Sequence, residues 1–324
     1  MRRFRRAALL ILPLLLLTGC MKGAPGERWT PAEDVPKIPE ALQESESAGM
    51  PMLTVYDTSD EALSEMDIET YIAGVVAGEM KNDWPLEALK AQAILARTFT
   101  LKFCEDKKSK YKGADISTDV TEAQAYDARS VNEQVRQAVR QTRGVVMACD
   151  GQYPYAWFHA HAGGMTELPT VSLDFGDADP SYLRPVRSEE SDKAPDSVRQ
   201  WTATFTKDAI AAACAGAGVK LKARDIDRVE VGEKGVSGRA KTLLIGDKTV
   251  SAPSLRIQIG ANRLKSTLID EITVQDDRVT FSGRGFGHGV GLSQWGAYAM
   301  AERGENAEAI IRHYFQDIDI VKLW

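Results

Sequence analysis

The sequence runs to 324 residues, with 40 basic and 46 acidic side chains and a formal net charge of −6 at neutral pH. That length suits one large or two modest domains. The acidic balance excludes nucleic-acid binders that rely on counterion release, so no nucleic-acid partner is expected.

Residues 1–20 differ from the rest. Arg2, Arg3, Arg5 and Arg6 precede the apolar run 7–17, which closes on Leu17-Thr18-Gly19-Cys20. This is the pattern of a secretory signal. Its end resembles the lipobox of bacterial lipoproteins, which implies cleavage before Cys20, lipid attachment to its sulfur and a place on the outer face of the cytoplasmic membrane. The alternative is an uncleaved anchor, for which the apolar run is short. Both put the remaining chain outside the cytoplasm. Without these residues the balance becomes 36 basic to 46 acidic, a net charge of −10. Residues 21–51 hold Pro25, Pro31, Pro36, Pro39 and Pro51 with little apolar periodicity, and read as a flexible tether.

Met52–Tyr56 reads as a strand, and two helices follow. Asp67 is a fitting N-cap for the first, in which Ile68, Ile72, Val75, Val76 and Met80 fall at helical spacing. Asn82 and Asp83 interrupt the pattern, and Pro85 opens the second helix at its first position, which runs to about Cys104. Glu79 ends the first helix among Val75, Val76, Ala77, Gly78 and Met80. Apolar surroundings raise a carboxyl pKa, as a general acid near neutral pH requires. The same residue would otherwise be an idle helix-end glutamate, although the helix dipole disfavours a carboxylate there.

Further on, Ser130-Val-Asn-Glu133 reads as a capping box opening a helix that stops at Gly144. The segments 145–149 and 153–162 read as a hairpin around Asp150-Gly151, running into Gly163-Gly164-Met165-Thr166. Strands are expected at 201–205, at 226–231 with 240–245, and at 269–274 with 279–282. Helices are expected at 206–218 and 251–259. Cys104, Cys149 and Cys214 are isolated and odd in number, so free thiols are expected, a single bridge being the alternative. His159 and His161 near Cys149 are a weak metal signal, and no metal is expected. From Gly283 to Gly291 every second residue is glycine, leaving Arg284, Phe286, His288 and Val290 between them. Such a segment is costly to order. It suggests a groove where a polymer meets backbone, with His288 as a binding or proton-transferring group. Ser293 then caps a helix ending at Gly304.

Tyr71-x-x-Gly-Val-Val-x-x-Glu-Met, Glu87-Ala-Leu-Lys-Ala-Gln-Ala, Ala96-Arg-Thr, Gln124-x-Tyr, Gly163-Gly-x-Thr and Gly285-Phe-Gly-His-Gly-Val-Gly-Leu-Ser-Gln-Trp-Gly-Ala occur in that order. Together they resemble stage II sporulation protein D and its relatives, which include the amidase-enhancer proteins, over roughly residues 52–324. The resemblance implies a lytic transglycosylase of peptidoglycan that acts on strands stripped of stem peptides, beside an amidase and a membrane partner in engulfment. It matches the catalytic glutamate to Glu79. Substrate contacts are implied at Arg97, Gln92, Gln124, Tyr126, Thr166, Gly285, His288, Ser293, Gln294 and Trp295. Some relatives bind zinc through cysteines before the position of Gln124; residues 115–124 contain none, so the zinc is not carried over and no cofactor is expected.

The expected architecture is α+β. One mixed catalytic domain, residues 52–324, carries a β-rich protruding subdomain at about 185–282, after the lipoprotein signal and the tether. A lone carboxyl suits a lytic transglycosylase, which needs no water, whereas hydrolases use two carboxyls. A glycan-binding protein that recruits or activates an amidase is the alternative. A hydrolase using Glu122 or Glu167 as its second carboxylate is a third reading.

Overall fold

The computed structural model describes residues 35–43 and 49–324. The signal, Cys20 and most of the expected tether lie outside them. Part of that tether is packed, however. Residues 35–43 include the short helix α1 (Glu40–Gln43), Leu42 is fully buried, and the Lys37 carbonyl accepts the Tyr153 hydroxyl at 3.1 Å. The prolines there hold a segment against the domain instead of freeing it.

The molecule is mixed α and β, with several small sheets. Strand β1 (Met52–Asp57) pairs antiparallel with β2 (Ala62–Asp67) and parallel with β3 (Ile116–Ser117). Sequence reading missed β2, an edge strand exposed over most of its length that carries no apolar alternation. Helix α2 (Ile68–Glu79) starts where Asp67 accepts the Thr70 N–H at 2.9 Å. Helix α3 (Leu86–Asp106) follows, with Pro85 one position earlier than expected, as its N-cap. Helix α4 (Glu133–Gln141) is capped by Asn132, not Ser130. Asp127 has already taken the Ser130 N–H and hydroxyl into a preceding 3₁₀ turn.

The expected hairpin at 145–162 does not form. Strand β4 (Val145–Ala148) pairs antiparallel with the last strand of the chain, Asp319–Lys322. Strand β5 (Phe158–His159) pairs parallel with Leu292–Ser293. Only the bridge between Cys149 and Gln152 spans the turn. Each strand finds a partner far along the chain, which local alternation cannot reveal.

Two short helices, α5 (Pro169–Ser172) and α6 (Asp196–Arg199), lead to the strand-rich part. There β6 (Gln200–Thr206) and α7 (Lys207–Gly216) precede the meander β7 (Val229–Val231), β8 (Thr242–Ile245) and β9 (Lys248–Ser251). Helix α8 (Ala252–Ile259) and the hairpin β10 (Ile269–Gln275) and β11 (Arg278–Arg284) complete it. These elements share an apolar core drawn from residues 201–281, including Trp201, Phe205, Leu243 and Phe281. Two further cores lie on either side of α3. The chain returns to them through β12 (Leu292–Ser293), α9 (Gln294–Glu302), α10 (Ala307–Tyr314) and β13 (Asp319–Lys322). Among the described residues, no helix is long and apolar enough to cross a membrane.

Candidate active site

Helix α2 presents two glycines, Gly74 and Gly78, four residues apart on one face. A Cβ on Gly74 would sit 2.2 Å from the Tyr126 ring, and one on Gly78 2.7 Å from the Ala125 backbone. The small residues therefore let the segment 124–126 lie flat on the helix. Tyr126 stacks on Tyr71 with ring centroids 5.5 Å apart. The Ala125 N–H thereby points at the helix end and donates to Glu79 Oε1 at 2.7 Å.

Glu79 is half-buried, and burial raises its pKa to about 7 against the opposing pull of the Ala125 N–H and the Gln294 side chain. Gln294 is the first residue of α9, and its Nε2 is buried without a hydrogen-bond partner among the described residues. Trp295, next in the chain, packs on Trp84 at 4.4 Å and on Tyr298 at 5.2 Å. Trp84 lies in the α2–α3 link, so this aromatic trio ties the start of α9 to the helix pair that carries the glutamate. Glu79, Gln294, Trp295 and the 124–126 segment are thus assembled from three distant stretches. Gln124 is buried; its Nε2 reaches only Ala96 O and Thr100 Oγ1, at 3.5 Å each.

Several expected contact residues are placed otherwise. Arg97 is fully buried; its Nη2 and Nε donate to Glu69 at 2.5 and 3.1 Å, and Nη1 to the Val145 carbonyl at 2.8 Å. It braces α2, α3 and β4 and offers no surface to a ligand, which corrects its reading as a substrate contact. Thr166 is buried and exchanges hydrogen bonds with the Val186 backbone. Ser293 is fully buried, caps α9 through the Gly296 N–H and gives its hydroxyl to Glu190. Gln92 is fully buried with no partner for either amide atom, and nothing in the structure explains it.

The alternating glycines line no open groove. Gly285, Gly287, Gly289 and Gly291 all have positive φ, and each approaches the protein itself. A Cβ at Gly285 would lie 2.8 Å from the His161 carbonyl, at Gly287 2.6 Å from the His159 Cβ, and at Gly291 2.0 Å from the Trp157 carbonyl. At Gly289 it would overlap the Arg239 guanidinium. The run is packed side by side with residues 157–163. Glycine provides both the left-handed turns and the closeness. His288 is half-buried and opens on a separate cleft, where its Nδ1 accepts the Val290 N–H at 3.0 Å.

Sequence reading missed a second buried carboxyl with a raised pKa. Glu190 accepts from the Ser293 hydroxyl at 2.9 Å and the Ala162 N–H at 3.0 Å, and burial lifts it to about 7. His161 Nε2 lies 4.0 Å from it, and burial and Arg239 push that histidine down to about 4. Ser293, which bonds Glu190, and Gln294, which stands beside Glu79, are neighbours in the chain. Glu122 is used up by Ser117, Ser109 and the Lys110 N–H, and Glu167 by Ser237 and the Leu168 N–H. Neither is free to act as a second carboxylate. Cys104, Cys149 and Cys214 are free thiols. Among the described residues, no group of three His, Cys, Asp or Glu is arranged to hold a metal.

Comparison with known proteins bears on the whole of this arrangement. The profile of the family described as "Stage II sporulation protein" matches residues 56–148, which contain Glu79 and the 124–126 segment. A domain of unknown function matches residues 177–291. Stage II sporulation protein D of Bacillus subtilis is 30% identical, the alignment covering 83% of this chain and 78% of that protein. An uncharacterized protein of Brachyspira hyodysenteriae is also 30% identical, over 84% of this chain and 72% of the relative. The amidase enhancer of Bacillus subtilis is 31% identical over 75% of this chain but only 39% of its own length.

Proposed function

The chain belongs to the stage II sporulation protein D family, and on that basis we propose that it is a peptidoglycan lytic transglycosylase with Glu79 as its acid–base group. The observation that carries this reading is a carboxyl at the end of α2, poised at about 7, oriented by one backbone N–H and flanked by an amide. Protonated, it delivers its proton to the glycosidic oxygen between N-acetylmuramic acid and N-acetylglucosamine. As carboxylate, it takes the proton from the muramoyl C6 hydroxyl, which attacks C1 and closes the 1,6-anhydro ring. The Ala125 N–H stabilises the carboxylate produced midway. No second carboxylate is required, in agreement with the engagement of Glu122 and Glu167. Gln294, Trp295 and Tyr126 are the proposed substrate contacts; Arg97, Thr166 and Ser293 serve the scaffold. The proposed setting is cell-wall remodelling in sporulation, with the protein lipid-anchored through Cys20 outside the cytoplasmic membrane. The match to an amidase enhancer supports a second reading, a glycan-binding role beside an amidase, which is compatible with cleavage.

The test is product analysis on peptide-free glycan strands. The wild type is expected to release fragments ending in 1,6-anhydro-N-acetylmuramic acid, and Glu79→Gln to bind glycan with turnover lower by ~10²–10⁴. Reducing ends would indicate water as nucleophile. Binding and amidase stimulation without cleavage by the wild type would favour the second reading.

A further inference from the structure

We propose that the cleft beside His288 is a binding site for a carboxylate carried on a short apolar stem. The cleft has a volume of about 240 Å³ and lies between the end of α5, the helix α8 and the glycine run. Arg256 is 7% exposed; its Nε donates to the Lys265 carbonyl at 3.1 Å and its Nη2 to the Ala261 carbonyl at 3.3 Å. Its Nη1 has no partner among the described residues, and burial acts on its charge with no acidic group to offset it. A buried cation without a counter-charge is the situation that an arriving anion relieves. Ser172, on the opposite wall, is 4% exposed, and its Oγ has no hydrogen-bond partner.

The remaining walls define the ligand. His288 is kept neutral by burial and by Arg256 and Arg239, and because its Nδ1 accepts the Val290 N–H, its proton sits on Nε2. The site thus offers one positive charge and one hydroxyl, a match for the two oxygens of a monoanion. Asp174 stands exposed in the same wall, its Oδ2 accepting the Ser251 and Ser254 hydroxyls at 2.5 Å each. Held by those two hydroxyls, it supplies Arg256 with no counter-charge. Leu173 and the 60%-exposed Ile257 give the cleft an apolar edge for the stem. Combined with the function proposed above, the ligand is the lactyl group of a peptide-free muramic acid. That identification rests on the cleavage reading; the carboxylate site does not.

The experiment titrates sodium lactate into the full chain at neutral pH, with chloride exchanged to hold ionic strength. Binding is read from the His288 imidazole NMR resonance, assigned by its loss in His288→Gln. A saturable shift is expected. Ser172→Ala is expected to weaken it by about threefold or more with an unchanged melting temperature, since that hydroxyl holds nothing. Arg256→Gln is expected to abolish it, and inorganic phosphate to bind more weakly than lactate. No saturable shift, undiminished binding in Ser172→Ala, or tighter binding of phosphate would overturn the proposal. Lactate binding by a protein that cleaves no glycan would keep this site and remove the cleavage reading. Cleavage without lactate binding would do the reverse.

Discussion

At neutral pH the Glu79 carboxyl stands near half protonation. Because the protonated form starts the proposed cycle, turnover should fall by about tenfold per pH unit well above 7; a rate that stays level to pH 9 would exclude Glu79 as the acid. Glu190 yields a prediction about stability. Its folded pKa, about 7, lies above the ordinary 4.5, so its contribution is complete below about 4.5 and is lost as pH rises through 7. The shift corresponds to about 3 kcal/mol. Glu190→Gln should therefore gain on the wild type in unfolding free energy between pH 5 and pH 7, measured by denaturant unfolding. A difference that does not vary with pH would refute the assignment. The burial of the Glu79 carboxyl at the end of α2 was legible in the sequence because its apolar frame is local. Arg97 was misread because Glu69, the residue that neutralises it, lies 28 positions earlier and has no motif of its own. Arg97→Met strands that carboxylate and should cost about 3–5 kcal/mol while the folded fraction keeps its turnover. Lost turnover at unchanged stability would restore Arg97 as a substrate contact.

Among the elements, α2 and the 124–126 segment act as a pair whose spacing is set by hydrogen atoms. Gly78 has ordinary helical backbone, so Ala there is welcome to the helix but drives a methyl into the Ala125 backbone. Gly78→Ala should lower the melting temperature, because the methyl meets backbone that must shift, and in the folded fraction should lift the Ala125 N–H off Glu79 and move the alkaline limb of the pH–rate profile upward, because the bond that lowers the carboxyl's pKa is gone. The glycine run responds differently. Gly287 has φ +106° and no room beside the His159 Cβ, whereas Gly164 has φ +108° and nothing within 4 Å. Ala at Gly164 should cost only backbone strain, about 1–3 kcal/mol, and Ala at Gly287 clearly more. Equal losses in thermal melts would mean that the close packing contributes nothing. Here the sequence announced that something special happened at 283–291 but not what the glycines approach, since the apposed segment 157–163 was read as half of a hairpin. Helices capped by Asp67, Thr206, Ser251 and Ser293 were readable to within a residue or so, because a cap is a local hydrogen bond.

Across the whole molecule, the C-terminus closes what the first helices open. Strand β13 lies along β4, the Leu323 N–H donates to the Gly144 carbonyl at 2.8 Å, and the indole N–H of Trp324, the final residue, donates to Glu69 Oε1 at 3.1 Å. Glu69 is also the residue that holds Arg97 and the Gly144 N–H. Deleting residues 319–324 should therefore speed amide hydrogen exchange in α2, α3 and β4 far more than in residues 201–281, which form a core of their own. Uniform loosening of both parts would contradict that division. No pattern in the sequence announced this closure, for β13 follows the last motif, and its partner strand β4 lies more than 170 residues earlier. The closure also sets an order in time. Residues 319–322 leave the ribosome more than 170 residues after the strand they pair with, so β4 has no native partner while the chain between them is still emerging. A chain wired in this way cannot complete its first core from its earlier residues alone, so ordering of that region waits for a strand encoded far downstream.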